Sequence, residues 1–141
     1  MATAQVLAEG EVTVANLAQL FKRAFFKASI NHDGDLVVQT DGPRVLVSVD
    51  ADKKLIKLMS VYGIQKAARL ELKHALVNKM NDEFILCRFS IPEAATDLLV
   101  VDYYLPFEEG IPEFQIMSAL RWFARVAPGA IRASDQHNLV E

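Results

Sequence analysis

The segment 36–62, LVVQTDGPRVLVSVDADKKLIKLMSVY, contains three apolar runs separated by two short polar breaks. In the middle run Val45, Val47 and Val49 alternate with other residues, which is typical of a strand with one buried face. The breaks at 41–43 and 51–54 are too short for the crossover that joins parallel strands. The segment therefore predicts a three-stranded antiparallel meander, with strands at 36–40, 44–50 and 55–62.

A helix is predicted before the meander and another after it. Thr13 is suited to an N-cap, because its hydroxyl can accept a hydrogen bond from a first-turn N–H. From there to residue 28 apolar residues recur at helical spacing, and they are Val14, Leu17, Ala18, Phe21, Ala24, Phe25 and Ala28. The second helix is predicted at 64–81, with Ile64, Ala68, Leu72, Ala75 and Leu76 facing the core.

A hairpin and a third helix complete the predicted fold. Ile85, Cys87, Phe89 and Ile91 alternate along a strand at 84–91, and a partner strand follows at 98–105. Pro112 suits the first position of the last helix, because an N–H is not needed there. The same helix is expected to stop at Pro128 and Gly129.

This order predicts an α+β fold of the form α-β-β-β-α-β-β-α, with a five-stranded, mainly antiparallel sheet packed against helices. We expect a single domain over 13–128, a flexible N-terminus over 1–12 and a loose tail over 129–141. A chain of 141 residues is long enough for a core that needs no disulfide or metal.

Composition excludes several classes of protein. The net charge of −3, from 15 basic and 18 acidic side chains, argues against general nucleic-acid binding. Cys87 is the one cysteine, so an internal disulfide is impossible, and a buried place on a strand is expected for it. The sequence contains no run of about 18 apolar residues and no signal peptide. We therefore expect a cytoplasmic protein that does not bind membranes.

No cluster of residues predicts an active site. His32, His74 and His137 are widely separated and lack metal-type spacing, so neither a metal nor another cofactor is predicted. The adjacent Glu108 and Glu109 are more simply solvated than catalytic. Asp102 interrupts an apolar strand: either its face meets solvent, which we favour, or it has a buried partner.

Two helix surfaces carry apolar residues away from the predicted core faces. Leu70 and Val77 lie together on the second helix, and Trp122 and Val126 on the third. Three explanations stay open: all four belong to the core, they form a self-dimer interface, or they bind a foreign partner. A basic contact surface is also considered along the second helix, from Lys66, Arg69 and Lys73.

The segment 77–122 resembles the YbjN-like family of bacterial proteins. The matching features are VNKMN at 77–81, the strand at 84–91, the strand at 99–106 and FEEGI at 107–111 before the last helix. Members carry the description of sensory transduction regulators, and the resemblance implies the fold of the dimeric type III secretion chaperones. It implies no catalytic residues, and fold alone assigns no activity.

These observations favour a non-enzymatic interaction or regulatory domain. We expect a homodimer that binds a polypeptide partner through Leu70, Val77, Trp122 and Val126. The alternative is a domain that senses a small molecule or a nucleotide bound between the sheet and the helices.

Overall fold

Across residues 5–141, which a computed structural model describes, the chain forms three α-helices, a six-stranded sheet and a two-stranded sheet. In chain order the elements are β1 (Val6–Leu7), α1 (Val14–Arg23), β2 (Lys27–Ile30), β3 (Leu36–Gln39), β4 (Arg44–Asp50), β5 (Leu55–Gly63), α2 (Leu70–Glu83), β6 (Arg88–Ser90), β7 (Leu98–Pro106), β8 (Ile111–Pro112) and α3 (Glu113–Ser134). The predicted α+β class is confirmed.

The large sheet is antiparallel throughout, with strand order β2-β3-β4-β5-β7-β6. The strands β3, β4 and β5 are direct neighbours, which confirms the meander. The strands β5 and β7 pair from Leu55 with Pro106 to Gly63 with Leu98. The sheet has six strands instead of the predicted five, because β2 was not foreseen.

The core lies on one face of this sheet, beneath the helices. Cross-strand neighbours such as Val47 and Leu58 are fully buried there, against Leu17 of α1 and Leu120 of α3. The residues between them along each strand point to the opposite face, where most remain half-buried or exposed. The helices therefore cover one face, and the outer face of the sheet is open.

The first helix ends earlier than predicted. Instead of continuing to residue 28, α1 stops at Arg23, and Ala28 lies on β2. The N–H of Phe26 donates to the carbonyl of Phe21, and the N–H of Phe25 donates to that of Lys22. The rings of Phe21 and Phe26 meet edge to face at 6.4 Å. This is a Schellman motif with its hydrophobic contact, and Phe25 occupies the left-handed position at φ 69°.

The second helix begins later than predicted, at Leu70. Ile64 is buried, as expected, but it extends β5 and forms a bridge with Val140. Because a turn separates Ile64 from α2, Ile64 does not set the position of the helix's buried face. That face consists of Lys73, Leu76 and Met80. The predicted core face, which included the exposed Ala75, is therefore wrong in part.

The strand predicted at 84–91 is reduced to β6. Leu86 has φ 75°, which interrupts extended backbone, and Ile85 is 71% exposed where a buried position was predicted. The side-chain amide of Asn81 donates to the carbonyl of Phe89 and accepts from its N–H, both at 2.9 Å. Cys87 is buried, as predicted.

The third helix does not stop at Pro128 and Gly129 but continues to Ser134. Proline removes one helical hydrogen bond without ending the helix. The tail beyond it, predicted to be loose, is docked. The Asp135 carboxylate accepts from the N–H groups of Leu139 and Val140, both at 2.9 Å, and Leu139 is buried.

The N-terminal segment also packs on the domain, although we expected flexibility over 1–12. The first four residues lie outside the described range, but β1 pairs with β8. Glu9 accepts from Lys54 Nζ at 2.5 Å and from the N–H of Glu109 at 3.0 Å. These charge-assisted contacts connect the N-terminal segment to two loops of the domain.

Candidate functional site

A groove lies between α3, the inner face of β7 and the loop that precedes β6. Its volume is about 240 Å³. Its lining consists of Leu86, Tyr103, Leu105, Gln115, Ser118, Ala119 and Trp122. Tyr103 and Leu105 of β7 form the floor, and the helix contributes both apolar and hydrogen-bonding side chains.

Large apolar side chains are exposed beside this groove. Phe114 is 65% exposed, and it precedes Ser118 and Trp122 at four-residue intervals on one face of α3. Ile85 and Leu86 are exposed in the loop on the other side. Single exposed apolar residues are ordinary, but several next to one concave surface make this groove the candidate site.

Trp122 supplies the aromatic wall of the groove. Its indole is half-buried, and the Arg125 guanidinium lies 4.9 Å from the ring centroid, within cation–π range. Its Nε1 is buried, and within residues 5–141 no acceptor lies within hydrogen-bonding distance. An unpaired buried donor is costly, so this nitrogen lowers the stability of the fold and is not accessible to a partner.

The structure separates the four residues that we predicted as a partner or dimer interface. Leu70 is exposed at the start of α2, and Trp122 lines the groove. Val77 and Val126 are half-buried and pack against the core. On a helical wheel these valines lie opposite the predicted core faces. They are nevertheless not exposed, because the buried faces of both helices are broad.

Sequence reasoning missed Ile85 and Leu86 as site residues. We assigned Ile85 to the core on the assumption that strand alternation began at residue 84. The available signal was the adjacent pair of apolar residues, because an alternation that buries Ile85 places Leu86 in solvent. Phe114 carried the signal that identified Trp122, because it too lies away from the apolar stripe of Ile116, Leu120 and Phe123.

The predicted basic surface along α2 is incorrect in one of its three members. Lys66 and Arg69 are exposed, but Lys73 is only 1% exposed. Its Nζ donates to the Thr96 carbonyl at 2.5 Å, in the loop between β6 and β7. A long aliphatic stem allows lysine to pack in a core while its ammonium reaches a polar group at the margin. Lys73 therefore fastens α2 to that loop.

Asp102 lies on the open face of the sheet, the alternative that we favoured, but its carboxylate is itself buried and is paired with Arg88, whose side chain is mostly exposed. Arg88 donates from Nε to Oδ1 at 3.0 Å and from Nη2 to Oδ2 at 2.7 Å. The Asp102 side chain is 3% exposed and that of Arg88 66%. The carboxylate raises the pKa of Arg88 through its hydrogen bonds. This bidentate pair joins the edge strand β6 to β7.

Cys87 is not suited to nucleophilic chemistry. Burial, with a smaller contribution from Asp102, raises the pKa of its thiol to about 11. The thiol is therefore un-ionised at neutral pH, whereas the thiolate is the nucleophile. Burial also raises the pKa of the Tyr62 hydroxyl, so Tyr62 stays protonated as well.

Within residues 5–141 no group of three or more His, Cys, Asp or Glu side chains could hold a metal ion. None of the helices in that part of the chain combines the length and the apolar character that crossing a bilayer requires.

Comparisons with known proteins support both the fold and the family resemblance. Residues 6–135 match the model of the YbjN family, whose description is "Putative bacterial sensory transduction regulator". The fold is similar to that in "Crystal structure of YbjN, a putative transcription regulator from E. coli", with a TM-score of 0.73 and 16% identity over 90% of this chain and 94% of that chain. At this identity the likeness shows the fold alone. No curated protein matches at a significant level.

Proposed function

Because the chain belongs to the YbjN family, we propose that it is a non-enzymatic regulatory domain that forms a homodimer and binds a polypeptide partner. The family is named for regulators, which supports a regulatory role. The partner site is the groove beside Trp122, and the exposure of Ile85, Leu86 and Phe114 around it is the observation that carries this proposal.

The groove favours an apolar polypeptide segment. Its volume of about 240 Å³ has room for one or two side chains rather than a whole folded surface. Burying the exposed parts of Ile85, Leu86 and Phe114 removes apolar area from water, at roughly 25 cal/mol per Å² before association costs. Gln115 and Ser118 offer hydrogen bonds to a partner's backbone. A segment with one anchoring apolar side chain meets these conditions.

The state of the ionisable side chains supports a non-enzymatic role. The Cys87 thiol is protonated at neutral pH, and both Asp102 oxygens are held by Arg88. Acid–base and nucleophilic chemistry need groups that are free to exchange a proton or attack a substrate. A reducing cytoplasmic location is part of the same proposal and rests on the single cysteine.

Partner capture with two matched variants tests the groove. The wild-type protein, Leu86→Glu and Val61→Glu are immobilised, and the proteins retained from a lysate are identified by mass spectrometry. Val61 is also exposed and apolar but lies on the outer face of the sheet, so Val61→Glu is the control. We expect one partner to be lost with Leu86→Glu alone. Equal retention by both variants would contradict the groove as its site.

Light scattering tests the homodimer independently. We expect a mass near twice 15.7 kDa at micromolar concentration. Leu70→Asp tests the exposed member of the predicted interface, with the nearby Lys66→Asp as control. Val77 is unsuitable for this test because it packs against the core. A monomer mass at every concentration would refute the dimer.

A small-molecule sensor remains the alternative, but the pocket that favours it lies between α2 and the C-terminal tail, whereas we predicted a ligand between the sheet and the helices. Ser134 Oγ is buried without a partner among the described residues, and it lines a pocket of about 130 Å³ between α2 and the tail. That volume is below the roughly 300 Å³ of typical ligand sites, so a nucleotide would not fit. A thermal-shift screen with small polar metabolites tests it, since a bound ligand raises the midpoint.

A further inference from the structure

Phe25 is the most exposed large apolar residue in the described part of the chain, at 97%. It also has the φ of 69° that glycine normally supplies at the end of a helix. Phenylalanine is therefore unfavourable here because of backbone strain, and its exposed ring gains almost no burial on folding that could offset the strain. A strained residue whose side chain contributes nothing to the core points to a role outside the folding of the chain.

Two depressions lie on either side of this turn, and Phe26 lines both of them. One has a volume of about 440 Å³ and includes Lys22 and Lys27 in its lining. The other has a volume of about 330 Å³ and includes Arg121 and Arg125 of α3. Phe26, the neighbour of Phe25 in the chain, is the residue that the two depressions share, so both lie next to the turn from which the Phe25 ring projects.

This surface, hereafter the Phe25 surface, is basic in a protein whose net charge is −3. Lys22, Lys27, Arg121 and Arg125 line its depressions, with Asp41 as the acidic residue among the lining side chains. Arg23 of the same turn is paired with Glu113 at 3.5 Å. The local excess of positive charge complements an acidic partner and would speed its encounter.

We infer that the Phe25 surface binds an acidic polypeptide segment that carries at least one large apolar side chain. The apolar side chain packs on the Phe25 ring, and the acidic side chains reach the lysines and arginines in the depressions. An anionic membrane fits less well, because a flat bilayer would contact the projecting ring without entering the two depressions. The surface uses α1, β2, the β3–β4 turn and the middle of α3, so it is distinct from the groove.

The Phe25 surface shares no lining residue with the groove, so it can bind a partner whether or not the groove does. Arg125 alone connects the two surfaces, because it lies against Trp122 and also lines one depression. Variants at Phe25, Lys22 and Lys27 therefore probe this surface without touching a residue that lines the groove.

The test uses a fluorescein-labelled peptide of alternating glutamate and leucine pairs, read by fluorescence anisotropy at low and physiological salt. Matched peptides replace every glutamate by glutamine or by lysine, and phosphatidylglycerol vesicles provide the membrane arm. We expect the glutamate peptide to bind best, and to weaken as salt rises. Equal binding of the glutamine or lysine peptide would overturn the proposal, and so would binding of the vesicles alone.

Phe25→Gly gives the most specific readout. We expect it to weaken peptide binding at least about tenfold, as for an interface anchor, and to raise the melting midpoint by about 3 °C because glycine suits the backbone. Lys22→Glu with Lys27→Glu should also weaken binding, whereas Lys66→Glu with Arg69→Glu, exposed cations elsewhere, should not. Unchanged affinity in Phe25→Gly would overturn the proposal.

Discussion

Two glycines with positive φ are in different surroundings, although their backbone geometry is similar. Gly110 has φ 109°, and a Cβ there would lie 2.9 Å from the Leu7 carbonyl oxygen of β1. Gly34 has φ 86°, and a Cβ there would meet nothing within 4 Å. The first glycine therefore combines a backbone requirement with a close approach, and the second has the backbone requirement alone.

We predict that Gly34→Ala lowers the free energy of unfolding by about 1 kcal/mol and Gly110→Ala by about 3 kcal/mol. The difference reflects displacement of β1, whose carbonyl cannot tolerate the added methyl group. Urea denaturation of both variants measures it. Equal losses would show that β1 moves away without cost.

Cys87 gives a prediction about alkaline stability. Burial raises the pKa of its thiol from 9.0 to about 11. Below pH 9 the thiol is protonated in both the folded and unfolded states, so it contributes no pH dependence. Above pH 9 the unfolded state loses its proton first, and stability falls by up to about 1.4 kcal/mol per pH unit until about pH 11. Denaturation between pH 8 and 11 should show a shallower decline in Cys87→Ala.

The helix α3 continues through Pro128 and Gly129, two residues that often end a helix. A Cβ on Gly129 would meet no atom within 4 Å, and its φ is not positive. We therefore predict that Gly129→Ala raises the free energy of unfolding by about 0.5–1 kcal/mol, as in a helix interior. If the helix ended here with glycine in the left-handed position, the same change would destabilise the protein.

The edge strand β6 depends on the pair of Arg88 and Asp102. We predict that Arg88→Met costs about 3 kcal/mol, because it leaves a buried carboxylate without a partner. Asp102→Leu should cost about 1 kcal/mol, because the mostly exposed guanidinium stays hydrated. The double variant should approach the wild-type stability. Equal costs for the two single variants would contradict the asymmetric burial that underlies this prediction.

The elements differed in how far the sequence could predict them. The meander was predictable because its signals are local, namely alternation and short breaks. The end of α1 was not, because the left-handed position holds Phe25 where glycine or asparagine is the usual signal. The apolar stripe continued into β2, since Ala28 faces the same core from a strand. The start of β6 was not predictable for the same reason. Leu86 has a positive φ, and leucine is not a residue that indicates this conformation.

The whole molecule is organised around the pairing of β5 with β7. These strands pair along nine positions, and Val101 of β7 and Leu58 of β5 are fully buried. We predict that amide hydrogens in this pair exchange last with deuterium, and that those in β2 and β6 exchange first. Hydrogen exchange followed by NMR measures the order. Early exchange in β7 would contradict this arrangement.

The candidate site depends on packing between distant parts of the chain, so only part of it was predictable. Trp122 was recognised because it lies away from the apolar stripe of its helix. Val126 and Val77 were not distinguishable from it, because burial of a second helix face depends on which neighbour packs there. The YbjN family resemblance is confirmed. The stretch that carried it includes Asn81, whose side chain hydrogen-bonds to β6, and Gly110, which leaves room for β1. The likeness to secretion chaperones stays a prediction.

The amide of Asn81 has a consequence for how copies of this sheet could polymerise. It occupies both outward backbone groups of Phe89, so β6 offers an added strand little to pair with. The opposite margin, β2, has a free row of backbone groups among the described residues. A fibril that grows by strand addition needs, in each copy, two edge strands that can pair with a neighbour, and this sheet has one. If two copies associated along β2, this sheet would have no second edge from which to continue.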